Sequence, residues 1–137
     1  MFLLDTIVLS ETLRPQPDRG VMHGLRRHSR EMATAAPVIH ELLFGALRFP
    51  TGAKRTAVLH EIEQVFLTTL DVLPYDRRAA EWHARQRAGL TNKGRTPPYI
   101  DGQIAAIAAV NGLTLVTHNV TDFAEFEGLR VEDWFAG

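Results

Sequence analysis

The sequence predicts an α/β fold, a three-layer α/β/α sandwich with a short central, mainly parallel sheet, in one domain spanning residues 1–137. Three observations carry this. Short apolar runs such as FLLD (2–5) and LTLVT (113–117) do not alternate with polar residues, as expected of strands buried on both faces. Stretches with helical periodicity separate these runs, and strands alternating with helices imply parallel pairing with helices on both sides. At 137 residues and 45% hydrophobic, the chain has the size and composition for one real core.

Each element has its own signal. FLLD is the first strand, closed by an acid. VLSETL turns into a short helix that Pro15 and Pro17 stop. VMHGLRRHSR is a second helix with a basic side. MATAAPV holds the next strand, weakened by its alanines. PVIHELLFGAL places Pro37 near a helix start and Glu41 within the first turns. KRTAVLHEIEQVFLTTL sets Val58, Leu59, Ile62, Val65, Phe66 and Leu70 on one helical stripe. DVLPY is a strand, DRRAAEWHARQRAGL a helix, and TNKGRTPP a polar loop. YIDGQIAAIAAVNG turns Ile100, Ile104, Ile107 and Ala108 inward and ends at Gly112. LTLVT is a strand, HNVTDFAEF a loop with one helical turn, and LRVEDW a last short strand.

Composition narrows the chemistry. There is no cysteine, which removes disulfides, thiolate nucleophiles and cysteine-based zinc or iron–sulfur sites. A net charge of -1 neither requires nor excludes nucleic acid, because a basic patch can coexist with an acidic one. The apolar start MFLLDTIVL is interrupted by Asp5 and has no basic residues before it, so it makes a poor signal peptide and is too short to span a membrane. A cytoplasmic protein is expected.

Four acids stand at element ends. Asp5 ends the first strand, Asp122 follows a later one, and Glu41 and Asp101 lie near helix starts. In open α/β sheets, ligands sit beyond the carboxyl ends of the strands, so all four are candidates for one edge. Taken singly, each has an ordinary role as a helix cap or dipole partner. Asp5 is the hardest to explain that way, because an unpaired carboxylate inside an apolar run is unfavourable. Converging carboxylates raise one another's pKa unless a cation joins them. Without cysteine, a hard divalent ion on oxygen ligands is the simplest answer, and Mg²⁺ or Mn²⁺ suits it. Such an ion on an acidic pocket suits phosphodiester hydrolysis.

LLDTIVLSE, then IHELLFGA, then YIDGQIAAIAAVNGLTLVTHNVTDF resembles the ordered signature of PIN-domain ribonucleases, in particular the VapC/FitB-type toxins of bacterial toxin–antitoxin pairs. The likeness covers nearly the whole chain, and its last segment is the most specific part. It implies a PIN-like fold and a Mg²⁺- or Mn²⁺-dependent endoribonuclease acting on single-stranded RNA. It also implies a cognate antitoxin, a homodimer and no membrane. It places the catalytic and metal-holding acids on Asp5, Glu41, Asp101 and Asp122, with Thr6, Thr117 and Asn119 in support. Lys93 and Arg95, in the loop before Asp101, are candidates for contact with RNA.

One position departs from the pattern. The family often carries a polar residue, commonly Asn, two places after the first acid, and here Ile7 stands there. Ile7 either packs in the core or marks a weakened site. The second reading gives an alternative function, a catalytically weak PIN fold serving as an RNA-binding or antitoxin-binding regulatory partner. A phosphotransfer domain built on Asp5 is disfavoured by the same residue, since dehalogenase-type phosphatases want a second Asp there. Arg26, Arg27, His28 and Arg30 form either a solvated helix face or a phosphate contact. His40 and His118 flank the proposed site, and neither has a His partner at ligand spacing.

Overall fold

Five short strands form one sheet in the order β3-β2-β1-β4-β5, and every neighbouring pair is parallel. The computed structural model describes residues 1–137. The strands are β1 (Phe2–Leu4), β2 (Met32–Ala35), β3 (Asp71–Leu73), β4 (Thr114–Val116) and β5 (Val131–Glu132). The helices are α1 (Thr6–Glu11), α2 (Arg19–Arg27), α3 (Ala36–Leu47), α4 (Ala53–Glu61), α5 (Leu67–Thr69), α6 (Arg77–Asn92), α7 (Tyr99–Val110) and α8 (Val120–Phe123). They cover both faces of the sheet, as the alternation predicts, and the sheet is parallel throughout.

The centre of the sheet is built from the runs that do not alternate. Leu3 and Leu4 on β1, and Leu115 and Val116 on β4, have no exposed surface. β1 pairs with β4 through Phe2–Thr114, Leu3–Leu115 and Leu4–Val116. α7 is buried nearly all round, because Ile104, Ala105, Ala106, Ile107 and Ala108 are fully covered. Its alanines let it lie close to its neighbours. It ends where expected: Gly112 takes a positive φ of 67°, and the Leu113 N–H returns to the Ala108 carbonyl at 2.9 Å.

One helix departs from its predicted stripe. Between α4 and α5, Ile62–Phe66 forms a π-helical turn. Ile62, Phe66 and Leu70 are buried and Val58 and Leu59 half-buried, but Val65 is 38% exposed. A π turn rotates each residue less than an α turn does. Phe66, four places on, therefore regains the core face, while Val65, three places on, falls short of it.

The chain returns over α2 after β5. Trp134 lies on Gly24, where a Cβ would come within 2.4 Å of the indole. The Ala136 N–H donates to Asp18 Oδ1 at 3.0 Å, the oxygen that also caps α2 through the Val21 N–H. His28 does not belong to the basic side of α2. It stacks on Trp134 and tilts against Phe2, while Arg26, Arg27 and Arg30 face solvent.

Candidate active site

The sheet order reverses direction beside β1: the chain leaves it toward β2 on one side and reaches β4 on the other. The crevice at such a switch point, beyond the carboxyl ends of the strands, is where open parallel sheets hold ligands. Asp5 follows β1 directly and Thr117 follows β4 directly. Register thus brings together two residues more than a hundred positions apart.

Asp5 is buried, with 6% of its surface exposed, and both of its oxygens are engaged. The Thr6 N–H donates to Oδ1 at 2.7 Å, which makes Asp5 the N-cap of α1. The fully buried Thr117 hydroxyl donates to Oδ2 at 2.7 Å and accepts from the Asn119 N–H at 3.1 Å. Burial raises the Asp5 pKa, the two threonine hydrogen bonds hold it down, and the charge of Glu41 raises it. Asp5 thus fills the ordinary capping role while standing at the candidate site.

Glu41 lies in the second turn of α3, too far in to cap it. The Thr6 hydroxyl holds it instead, donating to Oε1 at 2.6 Å. Asp101 is in the first turn of α7 and part-exposed. Its pKa is pushed up to about 6, first by burial, then by the charges of Asp5, Asp122 and Glu41. Asp122 sits in α8, exposed, with its N–H on the Asn119 carbonyl at 3.1 Å. The other three predicted acids thus act electrostatically on the Asp101 carboxyl. Thr6 and Thr117 touch them directly, whereas Asn119 is exposed and its link runs through the backbone N–H to Thr117.

None of the four acids is paired with a Lys, Arg or His. No group of three or more acidic or histidine side chains is placed to hold a metal ion together. The donor set nonetheless fits a hard divalent ion. Its atoms are oxygens, they are unneutralised, and Mg²⁺ is usually held by only one or two carboxylates with waters completing its shell.

The other candidates are more dispersed. Arg95 pairs with Glu125 at 2.8 Å, and Lys93 lines a hollow with Arg85, Glu125 and Glu127. Ile7 is half-buried and lines a different hollow, with Ser10, Glu11, Arg14, Asp18, His118 and Phe135, which contains none of the four acids. It is neither full core nor part of the acidic pocket. His40 is exposed and stacks on Phe44. His118 is held by Asp133 at 3.0 Å and stacks on Phe135 at 4.2 Å between ring centroids. That support of the Thr117–Asn119 loop carries no sequence signal, because Asp133 and Phe135 lie beyond the last motif.

Comparison with known proteins agrees with the geometry. The PIN domain family model matches residues 2–129. The tRNA(fMet)-specific endonuclease VapC of Shigella flexneri is 32% identical over 133 residues, with 97% of each chain covered. Toxin FitB of Neisseria gonorrhoeae is 33% identical over 126 residues, covering 90% of this chain and 91% of its own. The solved structure of FitAB bound to an IR36 DNA fragment superposes with a TM-score of 0.90 at 29% identity, over 100% of this chain and 98% of that one. The chain belongs to the PIN-domain family, alongside the VapC and FitB proteins.

Proposed function

We propose that this protein is an endoribonuclease that hydrolyses phosphodiester bonds of single-stranded RNA, depends on Mg²⁺ or Mn²⁺, and acts as the toxin of a type II toxin–antitoxin pair. The observation that carries the reading is the buried Asp5 at the switch point, with Glu41 joined to it through Thr6, the charges of Asp5, Asp122 and Glu41 bearing on Asp101, and no protein cation paired with any of the four. Asp5 and Asp101 would hold the ion, with Glu41 and Asp122 beside them. When bound, such an ion neutralises charge on the phosphate and lowers the pKa of water.

The chain's own residues do the rest. Thr6 and Thr117 fix both oxygens of Asp5, and each oxygen keeps further acceptor capacity. The Thr6 hydroxyl turns Glu41 toward the same edge. Ionised Asp101 completes the charge at neutral pH, and its elevated pKa makes it the acid best able to take up a proton there. Lys93, which has no ion-pair partner, is the better phosphate contact, since the charge of Arg95 is balanced by Glu125. The same unneutralised acids invite an arginine from an antitoxin, which inhibits by occupying the pocket. The exposed Phe44 and Leu47 on α3 offer an apolar face for a homodimer. RNA as substrate puts the protein in the cytoplasm.

The catalytically weak alternative drew on Ile7 alone, and Ile7 lines a hollow outside the acids, so no observation favours it. The deciding experiment incubates unstructured RNA, duplex RNA and single-stranded DNA with the protein in EDTA, Mg²⁺ and Mn²⁺. Cleavage of the unstructured RNA alone, dependent on metal and lost in Asp101→Asn, is expected. Cleavage that persists in EDTA or in Asp101→Asn overturns the reading.

A further inference from the structure

A second buried cluster stands behind Asp101 and plays no part in the reading above. His83, on α6, is 2% exposed. Its Nδ1 lies 2.8 Å from the hydroxyl of Tyr75, in the segment leading into α6. Its ring rests on Gly102, the residue after Asp101: a Cβ there would come within 2.1 Å of His83 Nε2. Tyr99, which opens α7, places its ring 4.9 Å from the imidazole, and the Arg87 guanidinium lies 5.2 Å from the Tyr99 ring centre. Burial, then the charge of Arg87, holds the His83 pKa below its usual value, so the ring is neutral at pH 7.

The first turn of α7 needs such a support. Its N-cap is Pro98, which supplies no side-chain hydrogen bond. The Gly102 N–H reaches the Pro98 carbonyl at 3.1 Å, a bond within the turn that does not tie it to the rest of the protein. Three like charges meanwhile act on Asp101. Moving this turn outward would relieve their repulsion. His83 is a buried side chain packed directly against this turn, at Gly102, where it can oppose that movement.

We propose that His83 is a positioning residue for the acid site: tied to Tyr75 and seated on Gly102, it fixes the first turn of α7 and keeps Asp101 among the other three acids. Gly102 is then required because only a hydrogen leaves room for the ring.

The inference rests on the metal reading for one of its two measurements and not for the other. The first titrates the full chain with Mn²⁺ alone by calorimetry. The second follows amide exchange at Gly102 against that at Leu3 and Leu115 in the sheet. His83→Ala is expected to weaken Mn²⁺ binding about tenfold, as lost outer support does at metal sites. It also speeds exchange at Gly102 without changing exchange in the sheet. Gly102→Ala does the same by driving the ring off. The pair His83→Ala/Gly102→Ala recovers most of both losses, because the new methyl occupies the vacated space, and that coupling is the signature of direct contact. A general loss of packing lowers the melting temperature of all variants and speeds exchange everywhere, with no recovery in the pair. Should His83→Ala not fold, Gly102→Ala and Tyr75→Phe carry the same measurements. If the wild type itself fails to bind Mn²⁺, the metal reading falls, and exchange at Gly102 still decides the role of His83. Folded His83→Ala or Gly102→Ala with wild-type exchange at Gly102 overturns the proposal.

Discussion

Asp101→Asn tests the electrostatics of the site without any substrate. The Asp101 carboxyl rises from the ordinary 3.8 to about 6 in the fold. At about 1.36 kcal/mol for each tenfold change, that rise corresponds to roughly 3 kcal/mol. Asp101 is part-exposed, so water screens much of it, and about 1–2 kcal/mol is the better figure. The sign follows from which form the fold prefers. An acid with a raised pKa favours the folded state through its protonated form. That contribution is whole below about 3.8, shrinks as pH rises, and is gone above about 6. At pH 8 the ionised carboxylate is a burden that asparagine does not carry. Thermal melts in EDTA from pH 4 to pH 8 should show no advantage of Asp101→Asn at pH 4. The advantage should open between 4 and 6 and level off at about 3–6 °C, taking roughly 3 °C per kcal/mol for a chain of this size. Added Mg²⁺ should close the gap by stabilising the wild type alone. A difference that does not change with pH, or a variant less stable than wild type at pH 8, refutes the convergence of the four acids.

Three further outcomes follow from other contacts. Thr117→Val strips Asp5 of one hydrogen bond and the Asn119 N–H of its acceptor in a fully buried place, and a denaturant melt should register a loss of about 1–3 kcal/mol. Ile7→Asn removes a half-buried apolar side chain that packs against the core, so stability should fall by about 1 kcal/mol while RNA cleavage per folded molecule should not change; a several-fold faster enzyme would reinstate the weakened-site reading. Gly24→Ala drives a methyl into the Trp134 ring, costing about 1–3 kcal/mol, and a red shift of tryptophan emission should report the lifted segment.

The order of elements was legible because buried parallel strands leave a local mark. FLL and TLV lack alternation, and the helices between them keep their periodicity. The π turn left no such mark. A run of Val, Leu, Ile and Phe at helical spacing looks the same whether the turn is α or π, since Val65 is as apolar as the residues that do reach the core. The seating of Trp134 on α2 was equally silent, because the glycines that admit it lie more than a hundred residues earlier.

The acids were legible for a reason the fold makes plain. Asp5, Asp101 and Asp122 sit at or beside element ends and Glu41 one turn inside its helix, and in a parallel sheet with helices on both faces such ends meet at one edge. Sequence position alone could therefore gather them. Sequence position could not say how they are held. The threonine contacts join residues 5 and 117, and 6 and 41; the family resemblance marked Thr6 and Thr117 as supporting positions but not which acids they hold. His83 had no such help: a lone histidine on a helix, with no histidine at ligand spacing, carries the signal of an ordinary surface residue. Yet the more strongly a site's charges repel, the more its geometry depends on neutral groups packed behind it. Asp101, with three carboxylates acting on it and a first turn lacking a side-chain cap, is where that dependence is greatest.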